Sequence, residues 1–304
     1  MLSSICHEID RPLLTACQMG LGSRMSAESK SEMSAGNEPT RVFAIGSCRV
    51  HTPLKRALAA VPDMSYIGDP VFGFVHSTAD IHQMLDVNDG IMRPPKELYS
   101  LLSIRNEKFQ PDDESRKRRV IKHDVVVIEI SSIRILKYGS YSLQINRLKE
   151  IVKERAGVRN EAVVTTSPRF AAVLALARSV SDGSDPLSVA LREFNDFEQS
   201  PDDFYDAARS ILDRLPMPVL LVPHVNLTST GNPIPQRQII RDALERIAGE
   251  SENIRFYDPT ALVRDVGYGA AMADSAHYQE DFELAMGEQL AAEIRGLLNT
   301  QDMR

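Results

Sequence analysis

Asp124-Val125-Val126-Val127-Ile128-Glu129-Ile130 decides the fold. A strand with one face in water alternates apolar and polar residues, whereas this run is almost unbroken in β-branched side chains, as a strand covered on both faces should be. Working outward, Val42-Phe43-Ala44-Ile45, Ala162-Val163-Val164 and Val219-Leu220-Leu221-Val222 repeat that character, and Ile254-Arg255-Phe256-Tyr257 is a weaker fifth strand. Helical stripes lie between and after them: Leu54, Ala57, Leu58 and Val61; Ile145, Leu148 and Val152; Ala208, Ile211, Leu212 and Leu215; Ile239, Ala243, Leu244 and Ile247; and Phe282, Met286, Leu290, Ile294 and Leu297. Thr52 and Pro53 read as the cap and first residue of the earliest helix. Strands alternating with helices predict an α/β fold: a central parallel sheet of about five strands, right-handed crossovers and helices on both faces.

The chain has 304 residues, enough for a substantial core, and its 35 Lys and Arg against 42 Asp and Glu give a net charge of −7. An acidic chain argues against a nucleic-acid partner, and 6% aromatic residues without Trp argue against a base-stacking platform. Cys6, Cys17 and Cys48 build neither a disulfide framework nor a zinc site, so no metal or cofactor is expected. The longest apolar run, Phe170 to Ala177, suits a core helix and is far too short for a bilayer span.

Residues 1–38, rich in Ser, Met and Glu, read as a flexible tail ahead of one α/β domain over 39–304. Leu14-Thr15-Ala16-Cys17 looks locally like a lipoprotein cleavage box, but His7, Glu8, Asp10 and Arg11 occupy the place of the apolar core a leader needs. The expected location is therefore cytoplasmic. Residues 90–122, with Pro94-Pro95 and the basic run Arg116-Lys117-Arg118-Arg119, form an irregular insertion, either a lid or a surface excursion.

Ligands of an open parallel sheet collect beyond the carboxyl ends of its strands. That rule nominates Gly46-Ser47-Cys48-Arg49, Ser131-Ser132 and Pro223-His224. Ser47 leaves a strand through a glycine and precedes a helix, where backbone N–H groups suit a developing oxyanion; the same position suits a plain helix cap. Serine needs a base, and His277 stands three residues after Asp274. That spacing lets the carboxylate fix the imidazole tautomer and stabilise its protonated form. Cys48 is a rival nucleophile or a small buried hydrophobe. Arg49 and Arg134 contact an anionic substrate or pair with acidic neighbours. His224 and Asn226 are expected to line the pocket.

Phe43-Ala44-Ile45-Gly46-Ser47-Cys48, together with Asp274-Ser275-Ala276-His277-Tyr278, resembles the SGNH/GDSL hydrolase superfamily. Within it, the Gly-Ser-Cys start and Tyr66-Ile67-Gly68-Asp69-Pro70-Val71-Phe72-Gly73-Phe74 are similar to the GSCFA branch. The resemblance spans roughly residues 42–298. It implies a three-layer α/β/α fold, with Ser47 as nucleophile, His277 as general base and Asp274 as its orienting partner. It also implies oxyanion donors at the Ser47 N–H, the Gly73 N–H and an Asn side chain. Where the family has Gly-x-Asn, this chain has Glu129-Ile130-Ser131-Ser132-Ile133-Arg134, so Ser132 or the Ser131 backbone is the expected substitute. Arg49 stands where the branch has Phe.

The combined reading is a serine ester hydrolase, acting on a carboxylic or O-acetyl ester of a small molecule or saccharide through an acyl-enzyme. The alternatives are an O-acyltransferase that modifies a saccharide with the same nucleophile, and a non-catalytic binding protein on the same fold.

Overall fold

The computed structural model describes residues 38–105, 122–157, 167–181 and 183–302. The expected tail up to residue 37, the basic run at 116–119 and the expected strand at 162–164 lie outside them. The chain enters through β1 (Thr40–Ile45), α1 (Cys48–Leu58), β2 (Met64–Ile67) and α2 (Thr78–Asn88), then passes a 3-10 turn at Lys96–Leu98 to β3 (Val125–Ile130). A long crossover follows, containing β4 (Arg134–Tyr138), β5 (Tyr141–Ser142), α3 (Ile145–Arg155), α4 (Ser167–Ser179), α5 (Pro186–Glu193), β6 (Asn195–Glu198) and α6 (Pro201–Leu212). The chain then runs through β7 (Val219–Pro223), α7 (Pro235–Gly249), β8 (Ile254–Phe256), α8 (Thr260–Val266), α9 (Tyr268–Ala271) and α10 (Glu280–Asp302).

The main sheet is five-stranded and parallel, in the order β2-β1-β3-β7-β8. Every residue of β3 is buried, because the strand lies in the middle of the sheet with a core on each face. Val126, Ile128 and Ile130 join Phe43, Val219 and Leu221 beneath α2, α3, α6 and α7. Val125 and Val127 join Ala44, Leu220 and Val222 beneath α1, α8 and α10. The fold is thus an α/β three-layer arrangement, and full burial of each such side chain contributes about 1.5–3 kcal/mol.

The chain leaves β1 along one face to reach β2, then returns over the other face to β3 on the far side of β1. The connections therefore diverge at the carboxyl ends of β1 and β3 and open a crevice there, the usual ligand position in such sheets.

Four local expectations are revised. The five strands of the main sheet include Met64–Ile67, a short edge strand with only Met64 buried, too brief to stand out as periodic sequence. A second, antiparallel sheet, β5-β4-β6, lies in the crossover, and its β6, Asn-Asp-Phe-Glu, is polar and held by pairing rather than propensity. The first helix begins at Cys48, not at Pro53, which lies inside it. A proline there costs about 3 kcal/mol, which burial of Val50, Leu54, Ala57 and Leu58 outweighs. Helix α10 crosses α1 so closely that a Cβ on Gly287 would come 2.1 Å from the Pro53 carbonyl oxygen. The described part of the insertion is not a surface excursion: Leu98, Tyr99, Leu101, Leu102 and Ile104 are buried in the core.

Candidate active site

Gly46 makes the turn out of β1. Its φ of +147° is a conformation that suits glycine, and a Cβ there would stand 2.7 Å from the Cβ of Glu129 on β3. The turn delivers Ser47 as the N-cap of α1, its hydroxyl accepting from the Arg49 N–H at 3.3 Å. Ser47 is 1% exposed.

Directly beneath it is a buried ion pair. The Arg49 Nε and Nη2 donate to Oε1 of Glu129 at 3.0 and 2.5 Å, while Oε2 accepts the Ser47 N–H at 2.7 Å. Burial alone would raise the Glu129 carboxyl, but the Arg49 charge and the hydrogen bonds from Ser47 and Arg49 hold it below its ordinary value. A carboxylate in an apolar strand is tolerated because its oxygens are paired.

The third nitrogen of Arg49 reaches the loop before α10. Its Nη1 donates to the Ala276 carbonyl at 2.6 Å, and Arg237 Nη2 donates to the Ser275 carbonyl at 2.8 Å. This loop carries Asp274 and His277. Oδ1 of Asp274 accepts the Ala276 and His277 N–H groups at 2.6 and 2.7 Å, and Oδ2 faces His277 Nδ1 at 2.8 Å. Burial pushes the Asp274 carboxyl up, and the hydrogen bonds from the His277 ring and the two amides more than offset it, leaving it low. The three-residue spacing thus folds into one turn, with Nδ1–H donating to Asp274 and Nε2 left as the basic nitrogen. The ring is 60% exposed, and no hydrogen bond joins it to Ser47.

The expected oxyanion donors are engaged within the chain. The Ser47 N–H is held by Glu129, and the Gly73 N–H donates to the Ser103 carbonyl at 2.7 Å. The Ser132 N–H donates to the His76 carbonyl at 3.0 Å, and its hydroxyl accepts from the Arg134 N–H at 3.0 Å. Arg134 itself sits on the small sheet against Asp196 and Glu198, the acidic pairing of its two expected roles. Asn226 organises its own loop, accepting the Ile234 N–H at 2.7 Å and donating to Gln238 at 2.6 Å. His224 is buried beside Arg49, Arg237 and His76; burial first, then those charges, keep it neutral, and its Nδ1 meets no partner among the described residues. Burial raises the Cys48 thiol against the pull of Arg49, which favours the buried-hydrophobe reading.

Sequence reasoning passed over Arg237, whose guanidinium is pushed down to about 10 by burial and by Arg49. It also passed over His76, which precedes the capping box of Ser77 and Asp80 at the start of α2. The Ser-x-x-Asp spacing was the one signal that this histidine has a fixed backbone. Among the described residues no group of three or more His, Cys, Asp or Glu could hold a metal, and no helix is long and apolar enough to cross a membrane.

An open, doubly wound parallel sheet with a serine and an Asp–His pair at its switch point defines a class of α/β proteins with a crevice site. Residues 40–293 match the family described as the TviD N-terminal domain, and the chain belongs to that family. That membership suggests a relationship to polysaccharide modification; it does not bring in the SGNH/GDSL superfamily or its GSCFA branch. No curated protein matches the chain.

Proposed function

We propose that the protein is an acyl-transfer enzyme whose acyl acceptor is a saccharide hydroxyl, with Ser47 as nucleophile, His277 as base and Asp274 as its orienting partner. The observation that carries this reading is Arg49, which holds Glu129 beneath Ser47 and the Ala276 carbonyl beside His277 with one guanidinium. Membership of the TviD N-terminal domain family favours a saccharide acceptor, and hence transfer over hydrolysis.

In the first half-reaction Ser47 Oγ attacks the acyl carbonyl while His277 Nε2 takes its proton. The intermediate collapses, the C–O or C–S bond to the leaving group breaks, and the imidazolium returns the proton to it. A saccharide hydroxyl then repeats the sequence on the acyl-serine and frees Ser47. The contact between Ser47 and His277 forms when substrate fills the crevice, as catalytic hydrogen bonds often tighten only there. The developing oxyanion competes with Glu129 for the Ser47 N–H.

The test is an acetyl-transfer assay with an acetyl thioester or p-nitrophenyl acetate as donor and a polysaccharide as acceptor, followed by intact mass. Wild type should carry an acetyl group on Ser47 and pass it on. Ser47→Ala should lose transfer by about 10⁴-fold or more, and Asp274→Asn should lose a large part of it. Wild type that neither acylates nor transfers would leave the binding-protein alternative standing.

A further inference from the structure

One strand over, at the carboxyl end of β3, a second serine is held by a second histidine. His76 Nδ1 lies 3.0 Å from Ser131 Oγ, and its Nε2 lies 3.0 Å from Asn146 on α3, whose amide nitrogen Nδ2 is the atom facing it. The backbone here is fixed from both sides. The His76 carbonyl accepts the Ser131 and Ser132 N–H groups at 2.9 and 3.0 Å, and the His76 N–H donates to Asp80 at 3.1 Å, within the cap of α2. Asp80 is itself pinned by Ser142 Oγ at 2.7 Å.

A serine, an imidazole and an amide in line are the parts of an activated nucleophile. The amide oxygen and nitrogen of Asn146 are interchangeable by a half-turn at the same atomic positions. With the oxygen facing Nε2–H, Nδ1 is the lone-pair nitrogen and accepts the Ser131 hydroxyl proton. Burial holds His76 neutral, against Glu129 and Asp80 and together with Arg49 and Lys149, so a lone pair is present at neutral pH. Asn146 also lines a cavity of about 890 Å³, with Phe74, Tyr99, Ser103, Gln144 and Arg147 among its walls. Ser131 and His76 do not line this cavity, so it adjoins the serine and histidine through Asn146 alone.

We propose that Ser131, His76 and Asn146 form a second acyl-accepting centre, distinct from Ser47, that takes an acyl group from an activated carboxylic ester. Ser131 Oγ adds to the ester carbonyl as its proton passes to His76 Nδ1. The bond to the leaving group then breaks, that group takes the proton, and an acyl-Ser131 remains. Water reverses the sequence and releases the acid.

The proposal goes beyond the Ser47 reading and is tested independently of it. The full chain and its Ser47→Ala variant are treated with a fluorophosphonate, and adducts are located by peptide mapping. The expected result is an adduct on Ser131 in both proteins. His76→Gln, which keeps a hydrogen-bonding side chain but no base, should slow that adduct by about 10²-fold. Asn146→Asp should move the pH midpoint of labelling upward by about one pH unit, because a carboxylate favours the imidazolium; a merely structural Asn146 would leave the midpoint where it was. No adduct on Ser131 overturns the proposal, as does an adduct whose rate His76→Gln leaves unchanged. The acyl-transfer reading is judged separately, by the adduct on Ser47.

Discussion

Ser47 and Ser131 leave neighbouring parallel strands at the same edge of one sheet, yet their surroundings are of opposite kinds. Ser47 sits over an ion pair: Glu129 holds its N–H, Arg49 holds Glu129, and the histidine assigned to it waits on a separate loop. Ser131 has His76 already in hydrogen-bond contact with its hydroxyl, and the charged groups around that histidine, Glu129, Asp80, Arg49 and Lys149, act on the imidazole rather than on the serine. The difference shows two ways of fixing a site at a switch point. One uses a buried charge pair to fasten two loops that are distant in sequence. The other uses the cap of a helix to hold a histidine against the next strand. The first is sensitive to any loss of charge balance, the second to loss of a proton acceptor.

The largest effect that separates them is on stability. Glu129→Leu leaves Arg49 buried without its counter-charge, so unfolding free energy in urea should drop by about 3–5 kcal/mol. Adding Arg49→Met should recover much of that loss, since a well-packed apolar pair often replaces a buried ion pair at little cost. His76→Gln should cost only about 1 kcal/mol, the scale of one neutral hydrogen bond. Equal losses at the two places would erase the distinction between them.

Acid should act on the buried histidines and on Glu129 in different pH windows. His51, bonded to Tyr66 at 2.7 Å, is pushed down to about 4 by burial, and His76 and His224 are lowered for the same reason. A histidine whose folded value lies below its unfolded one stabilises the fold fully above the unfolded value. That contribution is lost as pH falls from about 6.5 toward the folded value, at up to about 1.4 kcal/mol per pH unit for each group. Glu129 is lowered too, but as a carboxylate its contribution persists until pH falls through and below the usual carboxylate range. Urea midpoints at pH 7.5, 5.5 and 4.5 should therefore decline first through the histidines. His51→Gln and His76→Gln should each flatten the upper part of that decline, and a flat wild-type profile down to pH 4.5 would contradict the assignment.

The smallest expected effect concerns Arg134, whose partners Asp196 and Glu198 are on the small sheet. Arg134→Ala should change stability by less than about 1 kcal/mol, as partly exposed pairs do, and should leave the KM for acyl donor and acceptor unchanged. A raised KM would return Arg134 to the substrate.

The sequence by itself determined the layers. The unbroken β-branched run at 124–130 requires a strand covered on both faces, and the helical stripes at 145–152, 208–215, 239–247 and 282–297 supply the covers, because side-chain periodicity is a local property. It also determined the Asp274–His277 turn, which closes within four residues and needs no distant partner. It did not reveal β2 or the small sheet, since short half-exposed strands are defined by what they pair with rather than by their own pattern. Nor did it reveal where the nominated residues turn. Arg49 meets Glu129 across 80 positions and Ala276 across 227, His76 meets Ser131 across 55, and Gly73 spends its N–H on Ser103. A hydrogen bond between residues far apart in the chain leaves no periodic trace in sequence. Only the packing of the sheet, with its crevice between β1 and β3, decided which serine faces an ion pair and which faces a histidine.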